Sequence, residues 1–215
     1  MDYGTARGNA LVSAYIYIEG GGAGPDSKDV TIRCREGFRK LLENCGFAAQ
    51  KRMPRLVPRG SRGAAFDAFK TAHRTSAAGS FVALWIDSEE PLEALEATWQ
   101  HLQTRDQWVK PVGSSDEQVL FMTTCMETWF VADRAALQGH FKDKLQVSAL
   151  PPLHDLESRH RHDVQGRLIN ATRRCSNAYA KGVKSFEILG KLSPEVLIQS
   201  LPSFVRVLRI LSARL

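Results

Sequence analysis

Two apolar patterns alternate along the chain: short continuous β-rich runs, and longer stretches in which apolar residues return every three or four positions. The runs Ala10–Gly22 (ALVSAYIYIEGGG), Phe81–Ile86 (FVALWI) and Val119–Met126 (VLFMTTCM) read as buried strands. Lys51–Val57 (KRMPRLV) reads as a shorter strand, and its Pro54 argues for a sheet edge. Between them, Val30, Cys34, Phe38, Leu41, Leu42 and Cys45 predict a helix, capped by Asp26, Ser27 or Asp29 and ended by Gly46. Further helices are expected over about Ala64–Ala77, over Leu92–Gln103 with Pro91 at its start, and from Glu127 to Asp133. Asp133 is expected to cap the next one, which holds Ala135, Leu137 and Phe141. Beyond Pro151 the strand signals stop, and Leu168–Cys175, Lys184–Leu192 and Pro194–Leu211 read as helices. The alternation predicts an α/β fold with a mostly parallel sheet over residues 1–150 and a helical C-terminal portion, 151–215, packed on the same domain.

Composition narrows the class. With 215 residues, 43% hydrophobic and 24% charged, the chain suits one sizeable globular domain rather than a disordered or membrane protein. Its longest apolar run falls short of the roughly 18 residues that a spanning helix needs. The start, MDYGTARGNALVSAY, has no clean apolar segment before a cleavage site, so no signal peptide is read. Cys34, Cys45, Cys125 and Cys175 are far apart, without a CxxC, and are expected as reduced thiols in a cytoplasmic protein. A net charge of +6 and a pI near 9.3 permit a polyanionic partner.

The chemistry lies where the strands end. The first confident strand delivers Glu19, and the second delivers Asp87, Ser88, Glu89 and Glu90, at the edge where open α/β sheets bind ligands. In an extended segment residues two apart share a face, so Asp87 and Glu89 are expected to reach one ion together with Glu19. Clustered carboxylates repel one another unless a cation relieves them, and hard oxygen ligands select Mg²⁺ or Mn²⁺ over zinc. Glu127, after the third strand, is either a further acid of that site or a helix N-terminal carboxylate. Arg59 and Arg62 lie in a glycine-rich loop opening a helix and are candidate phosphate ligands. Other motifs fail. Gly20–Lys28 has neither P-loop nor GxGxxG spacing, no GxSxG is present, and His154, Glu157, His160 and His162 do not share a helix face suited to zinc.

In order, IYIEGGG, GSRGAAFDAF, LWIDSEE, MTTCMETWFVAD and AYAKGVKSFEILGKL resemble the bacterial family known as domain of unknown function 4276, from about Ala10 to Leu211. That family is similar to the TOPRIM fold of topoisomerases, primases and the overcoming-lysogenization-defect nucleases. The resemblance implies a TOPRIM-like (Rossmann-like) sheet in which an acid after one strand and an Asp-x-Asp after a later one hold Mg²⁺. Glu19 and Asp87 match those positions, Glu89 stands for the second aspartate, and Lys181 matches a Lys-Gly block that steadies phosphoryl charge. The implied activity is Mg²⁺- or Mn²⁺-dependent cleavage of DNA or RNA by the effector of a phage-defence system. Its expected partner is an ABC-type or AAA ATPase encoded nearby, and a homo-oligomer is compatible with it. The alternative is a non-catalytic module docking on that ATPase; Leu197, Leu201, Phe204, Val205, Leu208 and Leu211 read as ordinary core or, in this alternative, as a docking stripe. A third class, a small-molecule phosphatase, would use the same ions without a broad basic surface.

Overall fold

In the computed structural model, which describes residues 13–22 and 27–215, four parallel strands form one sheet in the order β2-β1-β3-β4. The strands are β1 (Ala14–Ile18), β2 (Arg55–Pro58), β3 (Phe81–Asp87) and β4 (Val119–Met122). Central β3 is buried at all seven positions and β4 at all four, the continuous apolar signature of a sheet covered on both faces. β1 alternates buried and half-buried residues because β2 beside it is short and forms an edge. The first three predicted residues, Ala10, Leu11 and Val12, and the candidate cap Asp26 lie outside the described residues.

Nine helices connect and cover the sheet among the described residues: α1 (Ser27–Asn44), α2 (Arg62–Thr75), α3 (Thr98–Asp106), α4 (Met126–Ala132), α5 (Arg134–Phe141), α6 (Arg161–Thr172), α7 (Val183–Leu189), α8 (Pro194–Ser200) and α9 (Pro202–Arg214). None of them is long and apolar enough to cross a membrane. On one face, Phe66 and Phe69 of α2 and Trp99 and Leu102 of α3 cover Val82, Leu84, Ile86, Val119 and Phe121. On the other, α1 and the helices from α4 onward share one larger core with Ile16, Ile18, Trp85, Leu120 and Met122. An aromatic chain runs through this core: Phe38 meets Trp85 at 4.9 Å, Trp85 meets Trp129 at 6.2 Å, and Trp129 meets Phe204 at 5.0 Å. It joins α1, β3, α4 and α9, so the C-terminal helices complete the sheet's own core.

Among the expected boundaries that move, which include the start of β2 at Arg55 and the end of β4 at Met122, three have a physical reason in the structure. α3 starts at Thr98 rather than near Pro91, because Asp116 caps it from a distant loop: its carboxylate accepts from the Trp99 amide at 2.9 Å. The predicted helix Leu168–Cys175 is instead Arg161–Thr172, opened by His160, whose Nδ1 accepts from the His162 amide at 3.3 Å. Pro194–Leu211 is two helices, because Pro202 can begin α9 but cannot continue α8. The apolar stripe of α8 and α9 is core and not a docking face. Leu197, Leu201, Phe204 and Leu211 are core, Leu208 packs against it, and only Val205 is largely exposed, at 42%.

Candidate active site

The strand order changes direction between β1 and β3, since β2 lies on one side of β1 while β3 and β4 follow on the other. At such a switch point the two following connections leave in opposite directions and open a crevice beyond the C-terminal strand ends. Glu19 and Asp87 stand at that crevice. Ile18 pairs with Trp85, and the Glu19 amide donates to the Trp85 carbonyl at 3.0 Å, which leaves Asp87 two residues farther along the neighbouring strand.

The first rim is fixed by backbone. Gly20 and Gly60 exchange amide-to-carbonyl hydrogen bonds of 2.9 and 2.7 Å, tying the loop after β1 to the loop before α2. Gly20 has φ +139°, and a Cβ there would stand 2.9 Å from Cys34 Sγ and 3.2 Å from Phe186 Cζ, so glycine is required. Ser61 then caps α2 by accepting from the Ala64 amide at 3.2 Å, which brings Arg62 to the crevice. Arg62 Nη1 lies 3.6 Å from Glu19 Oε2 and also donates to the main-chain carbonyl of Asp87. Its Nη2 pairs with Asp106 at 2.9 Å. One guanidinium thus touches both rims.

Asp87 is 5% exposed, and its Oδ1 accepts from the Met126 amide at 2.9 Å, the first residue of α4. Burial raises its pKa well above the ordinary carboxyl value, and the nearby charges of Glu19 and Glu127 raise it further. Lys181 and Arg62 pull it back down. Glu127 is 1% exposed on α4 and accepts from Tyr179 Oη at 2.5 Å and Gln165 Nε2 at 3.2 Å. Lys181 stands in the loop before α7. Glu19, Asp87, Glu127, Lys181 and Arg62 therefore form one electrostatic group.

Glu89 is turned out of that group. Pleated geometry ends at Asp87, and Glu89 adopts φ +72°, a left-handed backbone that non-glycine residues seldom take. Its amide donates to the Thr124 carbonyl at 2.7 Å, and its carboxylate is held by Arg105, at 3.3 Å, and by Arg161. The shared face expected from an extended segment is lost at this turn. Arg59 also stands apart, its guanidinium 5.7 Å above the Tyr17 ring.

The donors that remain suit a hard divalent cation. Glu19 Oε2 is buried without a hydrogen-bond partner, and beside it stands a carboxyl crowded by two others. As the side chains stand, no three His, Cys, Asp or Glu among the described residues are gathered into a single-ion cage. Mg²⁺ does not require one, because it is ordinarily held by one or two carboxylates and completes its shell with water and phosphate.

Several partners of this site went unread in the sequence. Arg105 and Asp106 end α3, Arg161 opens α6, and Gln165 and Tyr179 come from farther along. Each joins through tertiary structure. Only Tyr179 carried a local signal, its place two residues before Lys181 in AYAKG.

No curated protein and no solved structure gives a significant match to this chain. Residues 28–212 match the family described as Domain of unknown function (DUF4276), and by that match, which spans most of its length, the chain belongs to this family.

Proposed function

We propose that the chain is a Mg²⁺- or Mn²⁺-dependent phosphodiesterase acting on nucleic acid, with a TOPRIM-like site at the β1/β3 switch point. The observation that carries this reading is the meeting of Glu19 and Asp87 there, one with a buried oxygen that accepts no hydrogen bond and has the Arg62 guanidinium at 3.6 Å, the other pressed toward protonation by burial and by its acidic neighbours. A divalent ion held by these carboxylates, with Glu127 behind them, would polarise a phosphodiester oxygen and activate the nucleophile. The chain's own residues supply position and charge. The α4 amide fixes the Asp87 rotamer, and Tyr179 and Gln165 fix Glu127. Arg62 bridges the two rims, and Lys181 offers a positive charge for a phosphoryl oxygen. Arg105 and Arg161 neutralise Glu89, which on this reading shapes the crevice wall and does not serve as a ligand.

Action in the cytoplasm beside a separate ATPase, as the effector of a defence system, belongs to the same proposal. Its support is the resemblance and the basic charge of +6. The arginine clamp on Glu89 favours a second reading, a non-catalytic module in which arginines already balance the acids. Incubation with a mixed panel of single- and double-stranded DNA and RNA, with Mg²⁺, Mn²⁺ or EDTA, separates the two. Metal-dependent cleavage lost in both Glu19→Gln and Asp87→Asn supports the enzyme. Cleavage that survives both substitutions, or none even with the ATPase present, refutes it.

A further inference from the structure

Along the free edge of β2 runs an open groove of about 880 Å³. Its lining combines two tyrosines of β1, Tyr15 and Tyr17, with four arginines, Arg35 and Arg39 from α1 and Arg55 and Arg59 from β2 and the loop after it. All four arginines are exposed and both rings are half-buried. Against them, among the described residues, stands one carboxylate, Glu43, which pairs with Arg39 at 2.6 Å. Arg55 lies 5.9 Å over the Tyr15 ring and Arg59 5.7 Å over Tyr17, so each tyrosine carries a guanidinium on its face.

We infer that this groove binds single-stranded nucleic acid and leads it to the acidic crevice. The excess of guanidinium charge matches a phosphate backbone, while the layered tyrosine and arginine planes offer flat surfaces on which unpaired bases stack. A duplex hides those base faces. Acidic peptides match the charge but bring no rings to stack. Backbone ties the end of the groove to the crevice: the Arg59 amide donates to the Ile18 carbonyl at 3.0 Å, Gly60 pairs with Gly20, and Arg62 lies 3.6 Å from Glu19. A strand lying across Arg59 would leave the groove three residues in sequence from Arg62, the side chain beside the first acid of the site. The single-strand preference deepens the nuclease reading and rests on it for its catalytic meaning, although binding itself needs no metal.

The test is fluorescence anisotropy in EDTA with labelled twenty-nucleotide dT and U oligomers, a blunt duplex, and oligo-glutamate as competitor. It uses the full chain carrying Asp87→Asn, so that binding is read apart from cleavage. Single strands are expected to bind more tightly than duplex, and Tyr15→Leu and Tyr17→Leu each to weaken them about tenfold. Arg55→Gln should reduce the slope of log affinity against log salt by about 0.7. Circular dichroism and melting curves confirm that each variant is folded. Equal affinity for duplex, equal competition by oligo-glutamate, or folded tyrosine variants that bind like the parent overturn the inference. Binding with this pattern but without metal-dependent cleavage by the wild type leaves the groove standing and removes the nuclease. Cleavage without such binding does the reverse.

Discussion

Asp87→Asn tests the crowded carboxyl directly. Asparagine keeps the size of the side chain and an oxygen for the Met126 amide, now accepted at 2.9 Å, while removing the charge that burial, Glu19 and Glu127 all disfavour. The metal-free variant is therefore expected to melt no lower than wild type. Its response to cations is where the two part. A single site that binds only the folded protein stabilises it by RT ln(1 + [L]/Kd), about 1.4 kcal/mol at ten times Kd. For a chain of this size each kcal/mol moves Tm by about 2–4 °C, so wild type should gain about 3–6 °C at that Mg²⁺ concentration. Asp87→Asn should gain none. Because the ion needs the ionised carboxylate, and the folded pKa of Asp87 is raised, wild-type affinity should also go on climbing as pH rises above the ordinary carboxyl range. Scanning fluorimetry across Mg²⁺ concentration and pH measures both effects. An equal Mg²⁺ shift in wild type and Asp87→Asn would show that the ion sits elsewhere, and a large loss of stability in the metal-free variant would show that the carboxylate is a structural acceptor.

Three further outcomes follow from packing. Burial pushes the Glu157 pKa from 4.5 to about 7, even though the amide and hydroxyl of Ser203 donate to it. The native state thus holds a proton that the unfolded chain has released, and stability should fall as pH rises from 4.5 to 7, by at most about 3 kcal/mol, then level off; Glu157→Gln should flatten that stretch of a urea-unfolding profile. Gly37→Ala places a Cβ 2.5 Å from the Phe186 carbonyl oxygen, where α1 meets α7. It should cost about 1–3 kcal/mol, seen as a lowered Tm. Arg206, 3% exposed, donates to the carbonyls of Val119 at 2.8 Å and Asp116 at 2.7 Å. Arg206→Leu should lose about 1–3 kcal/mol in chemical denaturation by taking the guanidinium from the buried Val119 carbonyl, while the Asp116 carbonyl keeps the Thr98 hydroxyl at 3.0 Å; Glu96→Ala, its 62% exposed ion-pair partner, should lose under about 1 kcal/mol.

What could be read in advance tracks how local each cause is. The strands were legible because β3 and β4 are buried on both faces and so are continuously apolar. Asp133 was legible as a cap because its partner, the Ala136 amide at 2.9 Å, is three residues away. The start of α3 was not, since Asp116, 17 positions from Trp99, sets it. The same division runs through the site. Glu19 and Asp87 meet because strand ends and strand order bring them together, which a parallel α/β pattern already suggests. Glu89 leaves because a single left-handed residue redirects it toward Arg105 and Arg161, neither of which adjoins it in sequence. The stripe from Leu197 to Leu211 could be read as core or as a docking face, because an amphipathic helix looks alike whether its apolar side meets its own core or another protein, and the structure makes it core.

The two margins of the sheet are unlike. Beyond β4, Arg206 of α9 occupies the Val119 carbonyl, a main-chain group that a visiting strand would seek. Beyond β2, the Arg35 Nε reaches the Leu56 carbonyl at 3.3 Å, and more guanidiniums stand alongside. Two molecules approaching margin to margin on that side would bring like charges together, a common safeguard against runaway sheet growth. Ribbon-like self-association is thus blocked by a helix at one border and by charge at the other, and a polyanion that neutralised the second border would also lift that protection.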